Sequence, residues 1–312
     1  MRDAAPLPLG SGDPRPPLVI ISHGYPGNRY LLSHLAENLA TKNYVVVSID
    51  HSDSTYDNPA AFGSTLLNRP LDQLFVLNHI AELASQDPSA HFLGGLVDTE
   101  RTGLVGYSMG GYGATITAGG GVTQAAVEQA GRPRLGTHLS GSAEHLARFD
   151  DRIKAVLSFA PWGMGSGFWD DAALAGVRVP TLLVAGSVDT TSGYEQGVAA
   201  MFEKMVNAER ILLTYENAGH NAGAPMPAPA ESWAFSSALP HLSSPAVHYA
   251  DAVWDSVRMN NVAQHFATAW FGAKLRDEAE AASHLAVGGG AWPGFEEGQH
   301  AGLSLQRRSA GT

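Results

Sequence analysis

Short apolar runs alternate with longer amphipathic stretches along most of the chain. Runs rich in β-branched residues predict strands at 17–24, 44–50, 102–108, 153–162, 179–189 and 209–220. Leucines at helical spacing predict helices at 30–43 and 69–85, the second with Pro70 near its N-terminus, and 250–275 predicts a long closing helix. This alternation is typical of βαβ units, so we predict an α/β domain with a mostly parallel central sheet and helices on both faces.

The boundaries of this domain follow from changes in composition. We expect one domain, large enough to be a catalytic domain, over 17–282. A flexible, proline-rich leader at 1–16 precedes it, and an irregular tail at 283–312 follows it. Residues 119–150, rich in Gly and Ala, and residues 221–247, rich in Pro, Ala and Ser, are longer than normal connections. They are therefore predicted to be insertions in the domain.

The charge and composition of the chain limit the classes of partner that it is expected to bind. The 312 residues carry a formal net charge of -11 without a strong basic cluster, which argues against nucleic acid and anionic membranes as partners. No run is long and apolar enough to span a bilayer, and no Cys is present, which excludes disulfides, thiolate metal sites and a cysteine nucleophile. We expect a small-molecule partner and a cytoplasmic location, a secreted mature form being the alternative. The oligomeric state stays open.

One serine is surrounded by glycines in the stretch "GLVGYSMGGYGAT" at 103–115. A strand runs directly into Ser108, and small residues suited to a helix follow it. A sharp strand-to-helix turn lifts a serine hydroxyl clear of the backbone and offers it to a base, and glycines make room for that turn. Ser108 is therefore a candidate nucleophile; the alternative is a glycine-rich turn that only packs helix on sheet.

A serine nucleophile needs a base and an acid that orients the base. Asp189 ends the strand "TLLVAGSVD", and His220 follows the strand "ILLTYE", so both lie at the same edge of a parallel sheet as Ser108. The oxyanion that forms during acyl transfer needs two backbone N–H donors, for which we predict Met109 and, in the turn "SHGYPG", Tyr25. The alternative for "SHGYPG" is an ordinary tight turn.

The segments "SHGYPGNR", "GYSMGG", "VAGSVD" and "AGH" resemble the α/β-hydrolase superfamily. More narrowly, they are similar to its dienelactone-hydrolase-like branch, which includes cutinase-type polyester hydrolases and platelet-activating-factor acetylhydrolases. The resemblance covers roughly 17–220 and implies an α/β-hydrolase fold whose N-terminal strands are missing or shortened. It implies an ester or lactone hydrolase working through an acyl-enzyme, with nucleophile, acid and base at Ser108, Asp189 and His220.

The same resemblance suggests a substrate contact at Trp162 in "FAPW". In cutinase-type enzymes the similar tryptophan lines the acyl site, which implies tolerance of aromatic esters such as phthalates; the alternative is a tryptophan that covers the sheet edge. The acidic loop after 44–50, with Asp50, His51, Asp53 and Asp57, lacks metal-ligand spacing. We therefore predict neither a metal nor another cofactor.

These observations predict a serine carboxylic ester hydrolase acting on small to medium esters. Two alternatives stay open within the same fold, a lactonase and a peptidase, although peptidases of this kind usually carry an additional domain for which the chain has no room. An alternative from another class is a non-catalytic ligand-binding homologue.

Overall fold

A computed structural model describes residues 9–10, 12–59, 62–130, 133–237, 239, 242–288 and 290–312. Its strands are β1 Pro17–Ser22, β2 Val45–Ile49, β3 Asp98–Tyr107, β4 Ile153–Phe159, β5 Thr181–Gly186, β6 Arg210–Tyr215 and β7 Leu303–Arg308. Within the described residues they form one sheet in the order β2-β1-β3-β4-β5-β6-β7, parallel except for β7, which runs antiparallel to β6. The predicted mostly parallel α/β sheet is confirmed.

Helices lie on both faces of this sheet. The helices of the described residues are α1 Ser33–Thr41, α2 Phe62–Ala84, α3 Met109–Thr117, α4 Gln124–Gln129, α5 Ala143–Leu146, α6 Asp171–Leu174, α7 Ala199–Lys204, α8 Ser256–Leu275 and α9 Ala279–Ser283. Along β1, Leu18 and Ile20 pack with α2 and α3, whereas Val19 and Ile21 pack with α1 and α8. Because β1 is buried on both faces, it reads as a continuous apolar run.

Helix α2 begins earlier than the sequence predicts. Pro70 lies inside it, eight residues after Phe62, rather than near its N-terminus. Proline has no N–H, so the carbonyl of Leu66 one turn earlier loses its helical partner. The hydroxyl of Tyr112 in α3 donates to that carbonyl at 3.0 Å. This contact between two helices compensates for the missing N–H and lets α2 continue through the proline.

The tail also differs from its prediction. Residues 303–308 form β7 instead of an irregular segment, and β7 pairs with β6 along its full length. The short pattern "LSLQRR" has only two apolar residues, so its pairing depends on an exposed sheet edge that the sequence does not reveal. The predicted insertion at 119–150 contains α4 and α5, and 221–247 is mostly loop. Of the predicted leader, residues 1–8 and 11 lie outside the described residues.

Within the described residues, every helix is too short or too polar to span a bilayer.

Candidate active site

Ser108 stands between β3 and α3 in a strained backbone conformation. Its φ is 53° and its ψ is -112°, a region that non-glycine residues rarely adopt. The turn is held by hydrogen bonds from the Ser108 N–H to the Phe159 carbonyl (2.9 Å) and from the Trp162 N–H to the Ser108 carbonyl (3.0 Å). Neighbouring β4 thus fixes the turn that presents the Ser108 hydroxyl.

The glycines after Ser108 permit close packing of this turn. A Cβ atom at Gly110 would lie 2.0 Å from the carbonyl oxygen of Ser22, and one at Gly113 would lie 2.8 Å from Cβ of Arg69. Real atoms do not approach this closely, so any side chain at these positions would push α3 away from β1 and α2. The glycine cluster therefore brings α3 against the end of β1.

The structure brings Ser108, His220 and Asp189 together in one hydrogen-bonded chain. His220 Nε2 lies 2.9 Å from Ser108 Oγ, and His220 Nδ1 lies 2.9 Å from Asp189 Oδ2. With the proton on Nδ1, the ring donates to Asp189 and its Nε2 accepts from the serine hydroxyl. These three residues come from loops after β3, β5 and β6, at the carboxyl edge of the sheet.

Asp189 is kept ionised in a buried position. Burial alone would raise its pKa, but the hydrogen bond and charge interaction with His220 and the backbone N–H groups of Thr191 and Ser192 outweigh burial and lower the pKa below its usual value. Because Oδ1 is occupied by those two N–H groups, Oδ2 is directed at the imidazole. The carboxylate can therefore stabilise a positive charge on His220.

The two predicted oxyanion donors lie beside Ser108. Met109 is the first residue of α3, so its N–H has no partner within that helix. Tyr25 lines the same cavity as Ser108, and a Cβ atom on the preceding Gly24 would lie 3.4 Å from Cβ of Ser108. Among the hydrogen bonds of the described residues, neither N–H donates to a protein acceptor.

A cavity of about 720 Å³ opens onto Ser108 and His220. It is lined by the loop at 24–26, by Tyr107 and by Tyr56. Residues of 243–253 form another part of its wall, and Trp233 and Val188 also line it, with 62% and 53% of their surface exposed. The cavity is therefore lined largely by apolar and aromatic groups around a few polar ones.

The wall at 243–253 is bonded to the loop that carries His220. The side-chain amide of Asn221 donates to the carbonyls of Val247 (2.9 Å) and Ala250 (2.7 Å), and its oxygen accepts from the Tyr107 hydroxyl (2.8 Å). Asp251 accepts from the Gly219 N–H at 2.7 Å. The residues on either side of His220 thus hold the cavity wall in place.

Trp162 does not line the cavity among the described residues. Its backbone is bonded to Ser108, but its half-buried ring packs edge-on against Phe62 (5.5 Å) and near Phe168 (5.2 Å). Phe62 in turn meets the ring of Tyr25 at 5.1 Å. Trp162 therefore lies one side chain away from the oxyanion loop.

The acidic loop after β2 takes part in three separate sets of contacts. Asp50 pairs with Arg29 at 3.0 Å, and Asp53 accepts from Asn58. His51 is buried and bonded to Ser22 and Asp72. Within the described residues, no three potential metal ligands converge.

Sequence reasoning missed the cavity wall. Tyr56, Trp233 and 243–253 lie on loops without periodicity, and their approach to Ser108 is set by tertiary contacts. The unusual length of the segment 221–247 was one signal, because connections of this length often belong to a functional site.

Comparison with known proteins bears on this arrangement. A family model described as "PETase: PET hydrolase-like" matches residues 13–138. The chain is 26% identical over 172 residues to Cutinase 2 of Thermobifida cellulosilytica, a match that covers 55% of this chain and 47% of that protein. It is 25% identical over 205 residues to Cutinase est1 of Thermobifida alba, covering 65% and 53% of the two chains.

The matched segment spans about half the length of these relatives. The similarity includes the strand, serine turn and following helix, and it agrees with the resemblance to cutinase-type proteins found in the sequence. Together with the seven-stranded sheet described above, this similarity shows that the chain has the α/β-hydrolase fold, and the chain is distantly similar to the cutinases named above.

Proposed function

We propose that this protein is a serine carboxylic ester hydrolase. The observation that carries the proposal is the continuous hydrogen-bonded chain from Asp189 through His220 to the Ser108 hydroxyl, which opens into a cavity. That arrangement supplies a nucleophile, a base and an orienting acid at one surface. The names of the distant relatives, which are cutinases, point to the same reaction class.

In the proposed mechanism Ser108 Oγ attacks the ester carbonyl while its proton passes to His220 Nε2. The carbonyl oxygen becomes an oxyanion that accepts hydrogen bonds from the N–H groups of Tyr25 and Met109. Asp189 stabilises the imidazolium, which then gives the proton to the departing alcohol. Water, deprotonated by the same imidazole, attacks the acyl-enzyme and releases the acid and the free Ser108.

The proposed substrates are small to medium esters, including aromatic ones. A cavity of about 720 Å³ suits a single small molecule, and its aromatic lining residues, Tyr56 and Trp233, are suited to ring contacts. Trp162, predicted from sequence as a substrate contact, would act on the acyl group through Phe62 and Tyr25 rather than directly. Cytoplasmic location and the absence of nucleic-acid partners stay predictions from composition.

The test is a panel of esters presented to the parent protein and to Ser108→Ala. The panel contains aliphatic acyl chains of increasing length, dialkyl phthalates, a lactone and a peptide. We expect hydrolysis of the short aliphatic and phthalate esters and its loss in the variant. A parent that is inactive on every ester, or a Ser108→Ala variant with unchanged rate, would contradict the proposal; cleavage of the lactone or peptide alone would reassign the reaction.

A further inference from the structure

Arg69 is a fully buried cation on α2 whose contacts the proposed mechanism does not use. Its guanidinium donates to two successive backbone carbonyls, those of His23 and Gly24 (2.9 Å for Gly24), and to the hydroxyl of Ser54. Burial lowers its pKa to about 9, so it stays charged at neutral pH. A buried charged group that donates hydrogen bonds to two neighbouring peptide groups holds those groups in a fixed orientation.

The second of these carbonyls belongs to the same peptide unit as the Tyr25 N–H. The Gly24–Tyr25 peptide is trans, so its C=O and N–H point in opposite directions within one rigid plane. The Gly24 carbonyl is directed at Arg69 and also at His23 Nδ1, 2.6 Å away. The Tyr25 N–H is consequently turned away from the arginine.

Ser108 lies close to this peptide and lines the same cavity. Gly24 and Tyr25 line the cavity together with Ser108 and His220, and a Cβ atom on Gly24 would lie 3.4 Å from Cβ of Ser108. Any rotation of this peptide plane would withdraw the Tyr25 N–H from the place where an oxyanion forms. The hydrogen bonds that the Gly24 carbonyl accepts therefore set the direction of the Tyr25 N–H.

We propose that Arg69 is a positioning residue for the oxyanion hole, which it orients and polarises through the Gly24–Tyr25 peptide group. The inference rests on the proposed function and adds a residue that does not touch substrate. A charge-assisted hydrogen bond to an amide oxygen withdraws electron density from the amide, so its N–H becomes a stronger donor. Arg69 thus acts on the transition state, in which the oxygen carries negative charge, more than on bound substrate.

The local packing shows how the sequence admits this arginine. Gly113 in α3 leaves room for the start of the Arg69 side chain, because a Cβ atom there would lie 2.8 Å from Cβ of Arg69. The last glycine of "GYSMGGYG" thus serves the oxyanion loop as well as the turn at Ser108. The carboxylate of Asp72 provides an opposing charge that favours the protonated arginine.

The experiment compares Arg69→Met and Arg69→Lys with a matched control, Arg210→Met. Arg210 is also fully buried and also donates to backbone carbonyls, including those of Ala208 and Thr312, but it lies at the start of β6, away from the cavity. For each protein we would measure kcat and KM on a p-nitrophenyl ester and Ki for a trifluoromethyl ketone. Such a ketone is captured by a serine as a tetrahedral oxyanion.

We expect Arg69→Met to lower kcat by about 10- to 100-fold, less than the loss of a whole oxyanion donor, with KM changed by less than about twofold. Ki for the ketone should rise by the same factor as kcat/KM falls. Arg69→Lys keeps the charge but cannot reach both carbonyls in the same geometry, so its kcat should fall about tenfold. Arg210→Met should lower the melting temperature and leave kcat and Ki near the parent values.

A folded Arg69→Met with parental kcat and Ki would overturn the inference, as would an equal loss of kcat in Arg210→Met. Should Arg69→Met fail to fold, Arg69→Lys decides alone, and parental kcat and Ki in that variant would overturn the inference. A parent protein that neither hydrolyses esters nor binds the ketone would contradict the proposed function itself, and this inference with it.

Discussion

The part of the protein that the structure describes contains two hydrogen-bonded Ser–His–Asp chains with nearly the same geometry. In the first, His220 joins Ser108 and Asp189 at 2.9 Å on each side. In the second, His51 Nε2 lies 2.8 Å from Ser22 Oγ and His51 Nδ1 lies 2.7 Å from Asp72 Oδ2. On hydrogen-bond geometry alone the two cannot be told apart.

Their surroundings differ completely. Ser22 ends β1 at 1% exposure, under the close contact with Gly110, and is absent from the residues that line the cavity among those described. Ser108 sits on a strained turn at a cavity, next to two N–H groups that have no acceptor among the described protein atoms. A hydrogen-bonded Ser–His–Asp arrangement can therefore be purely structural. A candidate catalytic site is distinguished by a serine that substrate can reach and by backbone N–H donors for an oxyanion.

The serines give the largest expected contrast. Removing a serine nucleophile costs on the order of 10⁶ in kcat, so Ser108→Ala should abolish hydrolysis. Ser22→Ala should keep kcat within about twofold but lose about 1–3 kcal/mol of unfolding free energy, because His51 Nε2 would lose its partner. Labelling with a fluorophosphonate followed by peptide mass spectrometry checks both; a label on Ser22 would contradict the comparison.

The two aspartates give the next largest contrast. Asp189→Asn should lower kcat by about 10³- to 10⁴-fold, since an amide stabilises the wrong tautomer of His220 and cannot balance its charge. Asp72→Asn should change kcat by far less, because His51 exchanges no proton with substrate. Steady-state kinetics of both variants on one ester decide the point. Equal losses would mean that the second chain also takes part in turnover.

The sequence predicted the strands and the three residues at Ser108, because buried parallel strands and a glycine-flanked serine have strong local patterns. It did not predict the second chain. Ser22 ends β1, His51 lies in the loop after β2, and Asp72 lies on α2. Ser22 and His51 come together because the end of β1 pairs with the end of β2, a register that the sequence does not reveal. The wall at 243–253 was missed for a similar reason, since its contacts are made by loop carbonyls.

Stability should fall in mild acid, because several histidines are buried in neutral form. Burial lowers the pKa of His23 to about 2 and those of His34 and His138 to about 4. Below about pH 6.5 the unfolded chain binds these protons and the folded one does not, so unfolding free energy decreases as pH falls from 6.5 to 4, by roughly 1.4 kcal/mol per pH unit for each histidine.

Asp72 opposes this trend in part. Burial raises its pKa to about 6, so the folded state binds its proton more tightly and the stability from Asp72 is lost as pH rises through 6. Asp72 should therefore reduce the net slope between pH 4 and 6 by about one proton. Urea unfolding at several pH values measures it, and His138→Gln should reduce it by about one proton. A slope that does not change in this variant would contradict the assignment.

The smallest expected effect concerns the cavity wall. Asp251→Ala removes the acceptor of the Gly219 N–H beside His220 and should lower kcat by about three- to tenfold through misplacement of the base. Asp255→Ala, four residues on, removes the N-terminal cap of α8 and should cost about 1 kcal/mol of stability without changing kcat. Steady-state kinetics and urea unfolding on both variants test this prediction. An unchanged kcat in Asp251→Ala would show that the cavity wall does not position His220.

The three hydrogen bonds of Asn221 have a consequence for how this protein can change. Its side chain joins the strand before Ser108, the loop of His220 and the wall at 243–253. Loop exchange, a usual route to new specificity, would here alter the aim of the base along with the shape of the cavity. Variants with a new wall are therefore expected to need compensating changes around His220 that restore the position of its imidazole.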